Sequence, residues 1–466
     1  MNRRSFLSAS IAVGFAGHAF GYELLQNGSS SFTNNDFVSS EVGKLTRVVV
    51  HPPGLEMQKS FPMLRGSHSM LTWELLRAEA TQQHLEFVKR LQAAKVEVLF
   101  MEDLLAEAIE QARKSNGWES WLKATNAFLA EHSKDVTAST LIGSDDRFTY
   151  RKDSAGVFSP GNSPATTLFF TRDLAVMTPG GVILCNFKNP LRKFEAALAR
   201  FAFEYSPPLQ KYPVVFDGVK EEVYLQGGDL LVLDANTLLV GVGNSTTEAA
   251  AKRLAQRLEM DVITVQMPTV QWQLGEWDGL QLIFYHLDCL LNLVDRRKVL
   301  AVPYLLEKAY VGKNPLLEML YGFARLSGLD QAELKAMLVE VRNVGWIKRF
   351  EAGSGELDKS LGSMKILDYL QDRGCETVYV GGAPPNGVGN LKHLNENVMR
   401  ECRFMGVNIL AIQPGEIVSY AGNPMTEAAL TKAGVEVITF PSNELVRANG
   451  GPHCLTMPLE RDAVED

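Results

Sequence analysis

The sequence lacks the features that mark several protein classes. Its 466 residues include only five cysteines and no Cys-x-x-Cys pair, which argues against a zinc cage or a dithiol redox motif. It has no basic block, and its net charge is −8, so nucleic acid is not an expected partner. No run reaches the roughly 18 apolar residues of a membrane helix, so stable membrane insertion is not expected. The remaining composition, 46% hydrophobic and 21% charged, is that of a globular protein.

The N-terminus has the layout of an export signal. Arg3 and Arg4 precede a Phe-Leu pair and the apolar run at 11–15, which predicts a twin-arginine signal over residues 1–21. The polar stretch at 22–40, rich in Asn, Ser and Gly, is typical of a linker. We therefore expect a periplasmic or exported protein, with a cytoplasmic location as the alternative.

The next part of the chain alternates between strand and helix patterns. The apolar residues at 45–51 predict a buried strand, which Pro52-Pro53 would end. Apolar residues at three- and four-residue spacing predict helices from about 73 to 132, interrupted by a strand at 96–100.

A strand–turn–strand–helix–strand unit recurs along the rest of the chain. Clear copies begin at Asp229 and Asn408, a weaker one begins at Leu168, and a fourth includes the segments 282–286 and 298–303. In the first of these, residues 244–246 are expected to cap the helix. Because one such unit cannot bury its apolar face alone, the repeats predict α/β units around a central axis. An irregular α/β fold is the alternative.

Four short segments carry the candidate chemistry. They are residues 170–173 (FTRD), 226–229 (QGGD), 286–288 (HLD) and 450–454 (GGPHC). Each alone is more often a strand end, a turn or a small buried cysteine than a functional site. Their meaning therefore depends on whether they occur together.

In this order and spread, the four segments resemble the arginine deiminases of the guanidine-modifying superfamily. The similarity covers nearly all of the chain after the predicted leader, and also includes residues 41–45, 51–54, 189–192 and 414–459. The resemblance implies a catalytic domain over 41–466. The implied fold is a five-bladed α/β propeller, the pentein fold, of repeated ββαβ units, with a helical insert at about 73–150.

The resemblance also implies roles for five side chains. Cys454 would be the nucleophile, because a thiolate can attack the electron-poor carbon of a guanidinium. Asp173 and Asp288 would grip the planar cation by hydrogen bonds. His286 would protonate the leaving amine and then activate water, and Gln226 would orient the His286 imidazole. The implied activity is arginine deiminase-like hydrolysis of a linear amidine, with L-arginine giving L-citrulline.

Further residues would bind the substrate, and some depart from the family pattern. The substrate-binding candidates are Arg192, Phe170, Asp229 and Asn449. Gln226 stands where the family usually has an acidic residue. Three positions expected to contact the arginine carboxylate are also changed, and they hold Thr167, Ser245 and Asn449. Lys193 and Arg447 are the cations that can compensate.

The expected partner is a small guanidino substrate, with no metal or organic cofactor. A homo-oligomer is compatible with these expectations. Two other functions use the same residues: an amidinotransferase, which excludes water from the intermediate, and a guanidine-binding protein whose catalysis the change at Gln226 has impaired.

Overall fold

The fold is known from a computed structural model of the chain. It describes residues 37–58, 76–145, 164–269, 273–274, 277–278, 284–327, 330–387 and 389–464. The predicted leader and most of the predicted linker lie outside these residues. Among the helices in the described ranges, none is long and apolar enough to cross a membrane.

The described strands are short and mostly buried. In chain order they are β1 Leu45–Val50, β2 Glu97–Phe100, β3 Ala175–Thr178, β4 Gly181–Leu184, β5 Val214–Asp217, β6 Leu230–Asp234, β7 Thr237–Val242, β8 Asp261–Gln266, β9 Gln273–Leu274, β10 Trp277–Asp278, β11 Leu291–Asp295, β12 Lys298–Ala301, β13 Ile347–Phe350, β14 Glu376–Tyr379, β15 Leu410–Gln413, β16 Glu416–Tyr420, β17 Glu436–Phe440 and β18 Met457–Arg461.

Five sheets of the described chain share one pairing pattern. In each, two strands pair antiparallel and the second pairs parallel with a third, in the orders β3-β4-β5, β6-β7-β8, β11-β12-β14, β15-β16-β17 and β18-β1-β2. The last sheet joins the C-terminal strand to the first strand. Strand β13 adds to β8, and β9 and β10 form a separate pair. The fold class is therefore α/β, as predicted.

Helices lie in the crossovers between the parallel strands. They are α1 Arg77–Ala93, α2 Met101–Lys114, α3 Trp118–Thr125, α4 Ala127–Ala130, α5 Ala138–Ile142, α6 Lys193–Tyr205, α7 Pro207–Gln210, α8 Glu248–Arg257, α9 Pro315–Ser327, α10 Gln331–Asn343, α11 Ile366–Asp372, α12 Leu391–His393, α13 Met399–Arg403 and α14 Pro424–Lys432. Helices α2 to α5 follow one another without a strand and lie inside the range of the predicted insert. The domain boundaries themselves stay predictions.

The repeat prediction matched some elements and missed others. The two clear copies and the weaker one contain the expected strands and helices, but α8 is capped by Thr247, whose side chain accepts from Ala250 N, rather than by residues 244–246. The strand predicted at 282–286 is wrong for its described part. Phe284 to His286 form a bend, and the strands of this unit are β11 and β12, of which β12 matches the predicted segment 298–303. The apolar pattern in this segment therefore belongs to the bend that precedes β11.

Candidate active site

Five short segments carry most of the candidate site residues, one before the first strand of each of the five sheets that share the pairing pattern. Thr171–Leu174 precedes β3, Gly227–Asp229 precedes β6, and Leu287–Cys289 precedes β11. Asn408 lies just before β15, and Cys454 lies just before β18. The first three turns contact each other in series, and the first also contacts β18. Segments far apart in sequence therefore meet at one place.

Cys454 is held by its backbone in a glycine-rich loop. Its N–H donates to Asn408 Oδ1 at 3.0 Å, and its carbonyl accepts from Arg172 N at 3.2 Å. A Cβ on Gly450 would overlap the Phe170 ring, and one on Gly451 would overlap the Asn408 backbone. Only glycines allow this close approach. The loop therefore fixes the thiol against the turns before β3 and β15.

The Cys454 sulfur contacts an amide and a carboxylate. Asn408 Nδ2 donates to it at 3.1 Å, and Asp288 Oδ2 lies 3.4 Å from it. The thiol's pKa is raised well above its usual value by a hydrogen bond with Cys289, by burial and by the charge of Asp288. Without a cation nearby, the sulfur is therefore a neutral thiol.

Asp288 is a buried carboxylate that stays ionised. Its Oδ2 accepts from His453 Nδ1 at 2.9 Å. Burial would raise its pKa, but this hydrogen bond and the charges of His453, His286 and Arg172 hold it below its usual value. The candidate cation-gripping group beside the thiol is therefore negatively charged.

His453, which the sequence left open as either a local contact of the site or a surface histidine, is buried. Its Nε2 lies 3.4 Å from Glu41 Oε2, and Glu41 in turn pairs with Arg172 at 3.3 Å. Burial opposes a charge on Glu41, but Arg172 and His453 hold its pKa far below the usual range. This chain of charges links the N-terminal residues to Asp288. Sequence reasoning missed Glu41, because its contacts are hundreds of residues away.

His286 lies between an amide and a carboxylate. Its Nε2 is 2.8 Å from Gln226 Oε1, and its Nδ1 is 3.3 Å from Asp173 Oδ1. Arg192 Nη1 also points at Gln226 Oε1, at 3.4 Å, so the amide oxygen faces two donors. Nε2 therefore carries a proton, and Nδ1 faces the carboxylate. The structure thus places Gln226 where it can orient the imidazole.

Arg192 is committed to carboxylates of the protein. Its Nη1 donates to Asp173 Oδ2 at 2.7 Å, and its Nε donates to Glu195 Oε2 at 2.9 Å. Its guanidinium stacks 4.3 Å from the centre of the Phe187 ring. Among the described residues, its buried Nη2 has no hydrogen-bond partner. Arg192 therefore neutralises Asp173 and keeps one donor available.

Asp229 accepts hydrogen bonds from two other segments of the chain. Its Oδ2 accepts from Thr246 Oγ1 at 2.6 Å, and its Oδ1 accepts from Leu287 N at 3.1 Å. Burial raises its pKa to about 7, against the opposing charge of His286. Asp229 thus holds the turn that carries His286, and its predicted contact with substrate stays a prediction.

The other positions predicted to contact substrate differ in accessibility. Phe170 is buried against Gly450, and Asn449 precedes that glycine with a left-handed backbone, φ 60°. Thr167 Oγ1 is bonded to Glu195, at 2.7 Å. Arg447, one of the two compensating cations, is bonded to both carboxylate oxygens of Glu444 at 3.0 and 2.9 Å.

Lys193, Ser245 and Asn408 differ in how far they are buried. Lys193 is exposed, and Ser245 is buried. Asn408, which sequence reasoning marked only as the start of a repeat, is fully buried and binds both Gly451 N and Cys454 N. Its position before β15 matches the other site turns, and this regularity could have identified it. No cluster of three or more metal-binding side chains occurs in the described ranges.

A buried thiol, an imidazole and two carboxylates are thus brought together by separate turns. The family model of arginine deiminase, "ADI: Arginine deiminase", matches residues 146–314 and 395–461, together just over half of the chain. The chain belongs to this family, as the sequence predicted. It is thus a hydrolase of the class that acts on carbon–nitrogen bonds of amidines.

Similar proteins cover almost the full length. An arginine deiminase of Metamycoplasma hominis is 27% identical over 448 residues, spanning 93% of this chain and 98% of that protein. An arginine deiminase of Listeria welshimeri is 27% identical over 468 residues, spanning 91% and 98%.

The chain also resembles proteins of known structure. The complex of AgrE with ornithine and NAD⁺ has a TM-score of 0.48 at 14% identity, covering 93% of this chain, which spans 40% of the AgrE chain. A dimethylarginine dimethylaminohydrolase adduct has a TM-score of 0.46 at 12% identity, covering 89% of this chain and 99% of that one.

Proposed function

We propose that the protein hydrolyses a guanidino compound to a ureido compound and ammonia at Cys454, with L-arginine as the default substrate. The observation that carries this proposal is the convergence around the thiol. Asp288 lies 3.4 Å from the sulfur, and His286 lies 3.3 Å from Asp173. These are the nucleophile, acid–base group and cation-gripping carboxylates that such a reaction needs.

The scaffold of this proposal is a five-bladed α/β propeller. Five sheets with one pairing pattern support it, as does the pairing of β18 with β1, which joins the two ends of the described chain. The candidate site turns all precede the first strand of a sheet, so an arrangement around one axis would bring them to the same end.

Binding would begin with the substrate cation between the two aspartates. Asp288 is charged and close to the sulfur, and Asp173 Oδ1 has no hydrogen-bond partner among the described residues apart from the ion-pair contact with His286. A guanidinium can donate paired N–H groups to each carboxylate. Its positive charge would also lower the pKa of Cys454, because an opposite charge within a few ångströms favours the thiolate.

The thiolate would then attack the guanidinium carbon. A carbon–sulfur bond forms, and His286 gives a proton to one nitrogen, which leaves as ammonia. The remaining thiouronium stays bound to Cys454. His286 would next take a proton from water, whose oxygen attacks the same carbon. The carbon–sulfur bond breaks, and the ureido product and the thiolate are released.

Gln226 leaves the site with less negative charge than an acidic residue would give it. Its amide oxygen orients His286 at 2.8 Å but supplies no negative charge. Amide replacement of the orienting carboxylate in a triad can lower the rate by about 10⁴-fold. An amide also serves as the third member in papain-like enzymes, so turnover is compatible with Gln226.

The identity of the substrate depends on how a carboxylate would be bound. Arg192 offers a buried Nη2, but its other nitrogens are paired with Asp173 and Glu195. The resemblance puts arginines where this chain has Ser245 and Asn449. A charged hydrogen bond contributes about 1.5–3 kcal/mol, so losing both arginines would weaken arginine binding strongly. Guanidino compounds without a carboxylate are therefore the substrates to compare with arginine.

The test is a panel assay on purified protein. Arginine, agmatine and other guanidino compounds are incubated with and without an acceptor amine, and ammonia, ureido product and amidino transfer are measured. Ammonia without acceptor supports the hydrolase, and Cys454→Ala is the control that must lose it. Transfer only with acceptor would replace the proposal by an amidinotransferase. Binding without turnover would replace it by a guanidine-binding protein.

A further inference from the structure

A second thiol lies beside the proposed nucleophile. Cys289 is in the turn Leu287–Cys289 that also carries Asp288, and its thiol is in hydrogen-bonding contact with Cys454. The role proposed for Cys454 does not use Cys289. The sequence gives no reason to pair them, because 164 residues separate the two cysteines.

The two sulfurs share their other neighbours. Asn408 Nδ2 lies 3.1 Å from Cys454 Sγ and 3.7 Å from Cys289 Sγ. The two oxygens of Asp288 lie 3.4 Å and 3.5 Å from the same sulfurs. One amide and one carboxylate therefore hold both thiols at one place. A disulfide between them would bring the two sulfurs to an S–S distance of about 2.0 Å.

Both thiols are only slightly accessible. Cys454 is 5% exposed and Cys289 is 7% exposed. A small oxidant is therefore a better fit to the pair than a protein disulfide. Hydrogen peroxide is such an oxidant, and it reacts with the thiolate form of cysteine.

We propose that Cys289 and Cys454 are a reversible modification site, in which peroxide oxidises them to an intramolecular disulfide that blocks the nucleophile. The Cys454 thiol gives its proton to Asp288, 3.4 Å away, as its sulfur attacks one peroxide oxygen. The O–O bond breaks, and the leaving hydroxide takes up that proton as water, which leaves a sulfenic acid on Cys454. The Cys289 sulfur then attacks the Cys454 sulfur, the S–O bond breaks, and water leaves. In total, two thiols lose two electrons and two protons, and one peroxide becomes two waters.

The presence of Cys289 changes the fate of an oxidised nucleophile. A sulfenic acid without a neighbouring thiol proceeds to sulfinic and sulfonic acids, which ordinary thiols do not reduce. A disulfide is reduced by dithiothreitol through thiol exchange. Cys289 would thus convert an irreversible loss of Cys454 into a reversible one. The effect on activity depends on the proposed function, but the bond itself does not.

The experiment titrates the reduced full-length protein with hydrogen peroxide and follows intact mass, peptide cross-links and guanidine hydrolysis. We expect a mass loss of about 2 Da, the two hydrogens removed on disulfide formation. We also expect a Cys289–Cys454 linked peptide and recovery of most lost activity with dithiothreitol. Cys289→Ser and Cys289→Ala should instead gain oxygen at Cys454 and recover little. Two variants of different size guard against a folding defect in either one.

Cys402 provides the matched control. It is a buried cysteine like the pair, and burial, Glu401 and Cys289 raise the pKa of its thiol. Cys402→Ala should keep the linked peptide and the recovery. A Cys289–Cys402 peptide, or oxygen addition at Cys454 in the unsubstituted protein without any linked peptide, would overturn the proposal. Because mass and peptides are read without substrate, an enzyme with no hydrolase activity would still test the thiol pair.

Discussion

Replacing Gln226 by Glu should increase the rate of guanidine hydrolysis. The new carboxylate would lie at the position now 2.8 Å from His286 Nε2 and 3.4 Å from Arg192 Nη1. It would stabilise the imidazolium that protonates the leaving amine. It would also compete for Arg192, which now neutralises Asp173 at 2.7 Å, the carboxylate that we propose to bind the guanidinium. Both effects act in the same direction.

The size of the gain follows from the change in one hydrogen bond. A neutral hydrogen bond contributes about 0.5–1.5 kcal/mol, and one to a charged group contributes about 1.5–3 kcal/mol. The difference of about 1–1.5 kcal/mol corresponds to roughly a tenfold increase in kcat. The upper bound is the roughly 10⁴-fold effect of a carboxylate in an established triad.

The assay is kcat and KM for ammonia release as a function of pH. The limb of the profile that reports the general base should move to higher pH in the Gln226→Glu variant, because the added negative charge favours the protonated imidazole. Gln92→Glu, an exposed position on α1, is the charge-matched control and should leave the profile unchanged. An unchanged or lower kcat in a folded Gln226→Glu variant would refute the proposed role of position 226.

Other predictions concern the thiol and its supports. Asn408→Ala should lower kcat at least about tenfold, because one charged hydrogen bond to the sulfur is lost, and circular dichroism with steady-state kinetics would check it. His453→Gln should weaken guanidinium binding more than it lowers kcat, because it alters the hydrogen bond from Nδ1 that keeps Asp288 ionised. The Kd of a guanidinium inhibitor, measured as a function of pH, checks this. Asp229→Asn should flatten the stability profile. The carboxyl's folded pKa of about 7 is above its unfolded value, so its contribution is lost as pH rises from about 4 to 7, and urea unfolding at several pH values would show it.

The local pattern of the sequence predicted the repeated units because each is built from nearby residues. Strands β6, β7 and β8 and helix α8 follow from alternating apolar residues and a polar cap within one segment. The strand expected at 282–286 was wrong, because apolar residues that pack in a bend look the same as strand residues. The long stretch between β12 and β14 was not predicted, although it holds α9 to α11 and β13.

The candidate site was predictable to the extent that it rests on family motifs. The resemblance placed Cys454, His286 and the two aspartates, and the structure brings them together. It did not indicate that Arg192 would pair with Asp173, because ion pairs depend on side chains that meet only in the fold. Glu41 and Cys289 were missed for the same reason. Their partners lie on other turns, and no spacing in the sequence reports that contact.

The central claim is that Cys454 forms a covalent bond with the guanidinium carbon. Rapid acid quenching during turnover, followed by peptide mass spectrometry, tests it directly on the most active compound of the panel. The proposal predicts an amidino adduct on the Cys454 peptide that appears before ammonia release reaches a steady state, and neither adduct nor ammonia with Cys454→Ala. Ammonia release that continues in Cys454→Ala, or an adduct on another residue, would contradict it.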